Sequence, residues 1–350
     1  MTKETYRAVQ VTEPGKFELV ERAVPQPPPG KVRIRIEACG VCHSDALTIE
    51  GAFPSISYPR VPGHEVVGTI DALGDGVLRW KAGQRVGVGY LSGPCFHCEP
   101  CRRGDFVNCE NQGVTGVSSD GGYAEVMIAN EHGVVDVPGG LTSADAAPLL
   151  CAGVTTCNAL RNSPARPGDL VAIQGVGGLG HLGIQFAHGM GFRVVAIGRG
   201  ADKAALAERL GAGRYIDTMT EDPAAALRKM GGAKVILATA ASNKAMGSLV
   251  DGLTPRGRLI VVGVGADGPI EISPVALIFG SRTIEGALTG STIDTADTLA
   301  FSVLENIRPM IETARLENAA DAYARMMRGD ARFRMVLLTG ADAVSPHGSK

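Results

Sequence analysis

The sequence predicts an α/β protein in two parts: a β-rich first half of barrel type, and a second half built as a doubly wound parallel sheet. Three observations predict it. Short apolar runs punctuated by Pro and Gly fill the first half, and one of them, Lys31–Ala38 (KVRIRIEA), alternates strictly, as a half-buried strand does. From about residue 168 strand and helix patterns alternate instead, which argues for a parallel sheet covered by helices. Between the first strand and first helix of that half lies a glycine-rich turn, Gly175-Val-Gly177-Gly178-Leu179-Gly180.

The elements follow in order. After Lys31–Ala38 come strand patterns at Val66–Ala72, Gln84–Val88 and Tyr123–Ala129, with no long helical period before about residue 143. The second half reads as strand Leu170–Gln174, helix Gly178–Met190, strand Arg193–Ile197, a helix around Lys203–Leu210 and strand Arg214–Asp217. It continues with strand Ala233–Ala240, a helix after Asn243 and strand Arg258–Gly263. A helix around Asn318–Met327 and a strand Phe333–Thr339 have no place in that parallel order, so the tail is expected to return to the first domain.

Length and composition bound the possibilities. At 350 residues two domains are expected, and 45% apolar with 20% charged residues is the balance of a folded soluble chain. A net charge of -2 leaves no basic field for nucleic acid or an anionic membrane. Met1 to Tyr6 is polar, lacks an apolar signal core, and no run reaches membrane-spanning length, so a cytoplasmic location is the expectation. In a reducing compartment the eight cysteines point to metal more than to disulfides.

Strand before and helix after is the context in which a GxGxxG turn binds a dinucleotide. Gly175 permits the tight turn, Gly177 lets backbone approach a pyrophosphate, and Gly180 allows helix and strand to pack closely. Gly178 and Leu179 open the helix, whose N-terminus favours an anion. The end of the next strand selects the coenzyme. Gly198 stands where a carboxylate would accept ribose hydroxyls, and Arg199 follows it, with Lys203 nearby. A guanidinium without a competing carboxylate suits a 2′-phosphate, so NADP(H) is expected over NAD(H), although Asp202 lies close.

Cys95, Cys98, Cys101 and Cys109 form C-x2-C-x2-C-x7-C, a loop that can wrap one cation. Four thiolates close a tetrahedral site with no open position, which suits structural Zn²⁺; an iron–sulfur cluster and a disulfide pair are the competing readings. His97 reads as a surface residue. The remaining cysteines are dispersed, and spacing alone does not group them. Cys39 reads as a small buried residue at a strand end and Cys157 as the core side of a helix.

Several motifs occur together in one order: Cys39-Gly-Val-Cys42-His43-Ser44-Asp45, then Gly63-His64-Glu65 with Gly74 and Val77, then the four-cysteine lobe. Cys151–Thr156 (CAGVTT) and the glycine turn complete them. With this set the chain resembles the zinc-dependent medium-chain alcohol dehydrogenases, particularly the yeast-type and bacterial branch of the medium-chain dehydrogenase/reductase superfamily. The motifs run from about residue 39 to 203.

The resemblance implies a GroES-like catalytic domain over 1–151 and 289–350 and a Rossmann cofactor domain over 152–288. It implies catalytic zinc on Cys42, His64 and Cys151, with Glu65 as an alternative ligand or a group behind the ligands. Asp45 would orient the ligand imidazole, Ser44 would bond the substrate oxygen, His43 would reach the cofactor pyrophosphate, and Thr155 would lie near the nicotinamide. Phe53 and Tyr90 match positions where yeast-type enzymes carry tryptophans, implying a roomier pocket for medium or aromatic primary alcohols and aldehydes. A relay histidine common in that branch is replaced by Leu47, so the proton path would end at the cofactor ribose and water, or use Thr48.

The expected activity is therefore zinc-dependent hydride transfer between alcohols and aldehydes or ketones, in a homodimer or homotetramer. Strands near Arg258–Gly263 and Thr283–Ala287 are candidates for pairing across subunits. An NAD-dependent alcohol dehydrogenase or a polyol dehydrogenase of the same superfamily is the enzyme alternative. A catalytically idle NADP-binding regulator is the alternative of another class.

Overall fold

The computed structural model of the protein describes residues 4–53 and 56–340. The chain divides into two compact units. One runs to Cys151 and takes up Gly290–Val303 and the chain from Pro309 onward; the other comprises Ala152–Thr289 with Leu304–Arg308.

The first unit opens with strands β1 (Thr5–Glu13), β2 (Lys16–Ala23), β3 (Lys31–Val41), β4 (Glu65–Leu73), β5 (Arg85–Val88), β6 (Val126–Asn130) and β7 (Val134–Asp136). Short helices α1 (Ala46–Ile49) and α2 (Glu99–Arg102) sit in its loops, and α3 (Ser143–Pro148) follows β7. β1 and β2 form their own antiparallel pair. The alternation of β3 is real: Val32, Ile34 and Ile36 are buried, while Lys31 and Glu37 face solvent. A register shift against β4 between Ile36 and Ala38 ends the alternation, and Ala38 to Val41 are all buried. Such a bulge re-aims a strand, and here the bulged end leads into buried Cys42. Tyr123, expected to open a strand, lies just before β6 and is fully buried.

The second unit begins with helix α4 (Val154–Arg161), then β8 (Leu170–Gln174), α5 (Gly180–Gly189), β9 (Arg193–Gly198), α6 (Ala204–Arg209), β10 (Arg214–Asp217) and α7 (Pro223–Lys229). It continues with β11 (Ala233–Ala238), α8 (Asn243–Ser248), β12 (Leu253–Val261), α9 (Pro274–Ile278) and β13 (Thr283–Gly286). The sheet order is β10-β9-β8-β11-β12-β13, and every pairing is parallel. This is the Rossmann arrangement, in which strand order reverses between the first and fourth strands. β8 is buried along its whole length, as a central parallel strand covered on both faces must be. β12 and β13 pair with each other inside the chain, leaving β13 at the sheet edge.

Helix α10 (Thr292–Leu304) precedes strand β14 (Ile311–Arg315), helix α11 (Ala319–Arg328) and strand β15 (Arg334–Leu338). The tail does rejoin the first unit: β15 pairs antiparallel with the bulged end of β3, Met335 opposite Val41 and Leu337 opposite Cys39. The resulting sheet runs β14-β15-β3-β4-β5-β7, with β6 also on β3. It is not wholly antiparallel, because β14 and β15 are joined through α11 and pair in parallel. One core beneath it gathers Val32, Ile34, Val66, Ile70, Tyr123, Met335 and Leu337. Among the described residues no helix is long and apolar enough to cross a membrane.

Candidate active site

Cys42, His64, Glu65 and Cys151 each offer a ligand atom, and these atoms all lie within 4.8 Å of one another. Backbone pairing assembles the first three. Gly40 stands opposite Glu65 across β3 and β4, so the residues just beyond β3 and at the start of β4 meet. Cys151 arrives on a single π-helical turn, Leu149–Gly153, a feature that frequently marks functional positions. Its sulfur is 4.0 Å from that of Cys42.

His64 is oriented by Asp45. Nδ1 of the imidazole lies 2.9 Å from Asp45 Oδ1, with both side chains buried. Asp45 Oδ2 in turn accepts from the Cys42 backbone N–H and the Tyr123 hydroxyl, each at 2.9 Å. The other ring nitrogen, Nε2, is buried and has no hydrogen-bond partner, and neither has Glu65 Oε2. Both residues belong to the four-donor group. Two unpaired buried polar atoms in one cluster are costly unless something binds them.

The electrostatics fit a cation. Cys42 is pushed well below the ordinary thiol range, first by its hydrogen bond with Cys151; the same bond, together with burial, pushes Cys151 well above it. The two sulfurs thus act on each other's protons, and a cation held between them would favour the thiolate form of both. Burial works against charge on His64, yet Asp45 holds the imidazole well above its ordinary value. Burial raises Glu65 to about 7, against the pull of Arg334. A borderline-soft divalent metal such as zinc is what two sulfurs and an imidazole suit.

Arg334, at the start of β15, was not legible as a site residue. Its guanidinium donates to Glu65 Oε1 inside the protein, both side chains almost completely buried. The available signal was an arginine opening an otherwise apolar strand. Gly40 was missed as well: a Cβ there would stand 1.8 Å from Glu65 Oε2, so only glycine leaves that carboxylate its position.

The other expected residues divide. His43, Ser44 and Asp45 form one 3-10 turn directly after Cys42, with His43 exposed and Ser44 half-buried. Tyr90 packs edge-on against the His64 ring at 5.1 Å between centroids. Phe53 is 36% exposed, so it is not a core residue. The Thr48 hydroxyl is buried and donates to the Gly116 carbonyl at 2.6 Å, which commits its proton away from a relay. Cys39 is buried inside β3 and Cys157 inside α4, and among the described residues neither joins a metal-ligating group.

Cys95, Cys98, Cys101 and Cys109 also converge, their sulfurs within 4.8 Å of one another. All eight cysteines are free, so no disulfide forms in the lobe. The Cys95 backbone N–H donates to Cys109 Sγ at 3.3 Å, and the Cys98 N–H and the Asn111 amide donate to Cys95 Sγ at 3.4 Å each. Against the effect of burial, such donors bring Cys95 down to about 5, while burial and its neighbours push Cys101 up to about 12. His97 is exposed, outside the cluster.

In the second unit the glycine turn lies between β8 and α5, with Leu179 at the helix N-cap. Gly175 has a φ of +94°, a left-handed conformation that favours glycine. A Cβ on Gly180 would meet Gly175 O at 1.7 Å, so helix and turn touch there; a Cβ on Gly177 would meet nothing within 4 Å. The first is a packing glycine and the second faces open space. Gly198 ends β9, Arg199 is exposed, Lys203 is half-buried, and Thr155 is buried in α4.

Comparison with known proteins identifies the family. Residues 28–139 match the family model "Alcohol dehydrogenase GroES-like domain", and residues 178–304 match "Zinc-binding dehydrogenase". The chain is 40% identical to the alcohol dehydrogenase patD of Penicillium expansum, over 96% of this chain and 98% of that one. It is 39% identical to an alcohol dehydrogenase of Geobacillus stearothermophilus, over 92% and 95%. Among solved structures, a cinnamyl alcohol dehydrogenase from Sorghum bicolor superposes with a TM-score of 0.87 at 30% identity, covering 97% and 99% of the two chains. A CAD from Helicobacter pylori complexed with NADP(H) gives 0.83 at 28%, covering 95% and 97%. An acetophenone reductase from Geotrichum candidum in complex with NAD gives 0.86 at 27%, covering 98% and 99%. With both family models matched in order and relatives aligned nearly end to end, the chain belongs to the zinc-type medium-chain alcohol dehydrogenases.

Proposed function

We propose that this alcohol dehydrogenase works with one zinc ion at Cys42, His64 and Cys151 and a second in the four-cysteine lobe. Its coenzyme is NADP(H), and its working direction is reduction of aldehydes or ketones. The observation that carries the reading is the four-donor cluster, buried but for half-buried Cys151, in which Asp45 fixes His64 and leaves Nε2 without a partner. Zinc held there supplies Lewis-acid activation of the substrate oxygen, and the nicotinamide supplies the hydride.

The chain's own residues do the rest. Ser44 Oγ exchanges a proton with the substrate oxygen, and Asp45 keeps the imidazole in one tautomer. Glu65, paired with Arg334, stands as the alternative ligand. Tyr90 and Phe53 line the substrate pocket and leave room for medium or aromatic substrates. The turn from Gly175 to Gly180 binds the pyrophosphate, with Thr155 beside the nicotinamide. Gly198 and Arg199 at the end of β9, with Lys203, support the 2′-phosphate reading. The catalytic role belongs to the first unit and the cofactor role to the second.

We infer a homo-oligomer as well. The unpaired edge of β13, together with the exposed Val275, Ile278 and Phe279, supports a second copy pairing there. The test is a panel of alcohols and aldehydes assayed with NAD(H) and NADP(H) in parallel, alongside zinc analysis. One zinc for each of the two cysteine-bearing groups and turnover with NADPH are expected. One zinc per chain without turnover would point to an idle binder, and about a hundredfold preference for NAD(H), near 3 kcal/mol, overturns the coenzyme assignment.

A further inference from the structure

The end of β9 is shaped by a residue on the neighbouring strand. Gly198 pairs with Asp217 of β10, and its φ is not in the left-handed region, so the backbone itself does not require glycine there. The neighbour does. A Cβ on Gly198 would stand 2.3 Å from the Tyr215 hydroxyl oxygen, 2.9 Å from Cζ and 3.0 Å from Cε2. Any side chain at 198 must therefore displace the end of the tyrosine ring.

That ring is pinned. The Tyr215 hydroxyl donates to the Gly200 carbonyl at 2.7 Å. The Gly200 N–H donates to Asp217 Oδ1 at 2.8 Å, and the Met219 N–H donates to the same oxygen at 2.9 Å. Gly200 itself has a φ of +81°, so the loop turns sharply between these two anchors. Asp217, opposite Gly198 on β10, is thereby engaged at Oδ1 by backbone donors. Arg199 lies between Gly198 and Gly200 with its guanidinium exposed, its Nε donating to Met219 Sδ at 3.3 Å.

We propose that Tyr215 is a specificity-determining residue for the coenzyme. Its ring fills the volume that a carboxylate side chain at position 198 requires, and its hydroxyl holds the Gly200 turn. The strand end is thus closed to the group that accepts an unphosphorylated adenosine ribose, and Arg199 is the side chain it presents. The proposal rests on the NADP(H) reading above.

The experiment titrates NADPH and NADH calorimetrically into the whole chain and records Tm for four proteins: wild type, Tyr215→Ala, Gly198→Asp, and Gly198→Asp with Tyr215→Ala. Gly198→Asp alone is expected to lower Tm and weaken NADPH without producing tight NADH binding. Adding Tyr215→Ala is expected to recover Tm and to tighten NADH about tenfold or more relative to the single variant, since the new carboxylate can then reach the ribose hydroxyls. If Gly198→Asp alone binds NADH as tightly as the double variant, the proposal is overturned. Should the aspartate variants not fold, Gly198→Ala with and without Tyr215→Ala reads the same clash through Tm alone. A drop that Tyr215→Ala does not relieve also overturns it. Wild type binding NADH as tightly as NADPH overturns the coenzyme reading and the part given to Arg199, whereas the single-against-double comparison still decides Tyr215.

Discussion

Asp45 holds His64 from behind: its Oδ1 lies 2.9 Å from Nδ1 of the imidazole, and its Oδ2 is occupied by the Cys42 N–H and the Tyr123 hydroxyl. One carboxylate thus ties two candidate ligands to the core. Asp45→Asn keeps the shape and removes the charge, so zinc at this site is expected to weaken by roughly 10–100-fold. Competition with a chromophoric chelator measures it, and the four-cysteine site serves as the internal control. Equal loss from both sites would count against the assignment.

Arg334 and Glu65 form a buried ion pair, and such pairs are costly to break from one side. Arg334→Met leaves Glu65 in the interior without its partner, and a loss of about 3–5 kcal/mol is expected by denaturant titration. Arg334→Met combined with Glu65→Gln should recover much of it. If the double variant is no more stable than the single, the pair does not carry the coupling assigned to it.

Two glycines of the coenzyme turn should respond differently to alanine. Gly180→Ala drives a methyl into the Gly175 carbonyl, so both Tm and coenzyme binding fall. Gly177→Ala meets no protein atom within 4 Å, so Tm holds while NADPH binding weakens, because the methyl takes the space left for pyrophosphate. An unchanged Kd for Gly177→Ala would falsify the role given to that glycine.

The cysteine lobe ties metal to pH. With Cys101 pushed up to about 12, at least one thiol of the emptied lobe carries a proton at neutral pH. Zinc uptake must displace it, so the lobe releases protons on binding, and its affinity falls as pH is lowered. A pH indicator in weak buffer detects the release during zinc titration. Cys101→Ser should lower the zinc content of the lobe and raise its susceptibility to protease, while the Cys42 site stays filled.

Phe53→Trp tests the pocket. A larger ring there is expected to lower kcat/KM for bulky aromatic aldehydes and spare small ones. Unchanged selectivity across an aldehyde series removes Phe53 from the pocket.

The four-cysteine lobe and the glycine turn were readable because their partners are close along the chain, so spacing alone carries the geometry. Strand β8 and helix α5 were readable for the same reason: an unbroken apolar run and a glycine punctuation fall inside one short window. Arg334 was not, since its partner Glu65 is 269 positions away. The commitment of Thr48 to Gly116 was equally hidden, at a separation of 68.

By itself, then, the sequence carried the two-part α/β plan, the four-cysteine lobe and the glycine turn, because periodicity and spacing are local properties, while the set of motifs in one order carried the family resemblance. Only the tertiary structure decided that the tail strand delivers Arg334 beneath Glu65, that Gly40 must be bare to admit that carboxylate, and that Tyr215 closes the space at Gly198. The physical reason is common to all three. Each is a steric or charge relationship between strands of one sheet, Gly40 with Glu65 and Gly198 with Tyr215 on adjacent strands and Arg334 with Glu65 across the intervening β3. Register, not proximity in sequence, chooses which side chains meet.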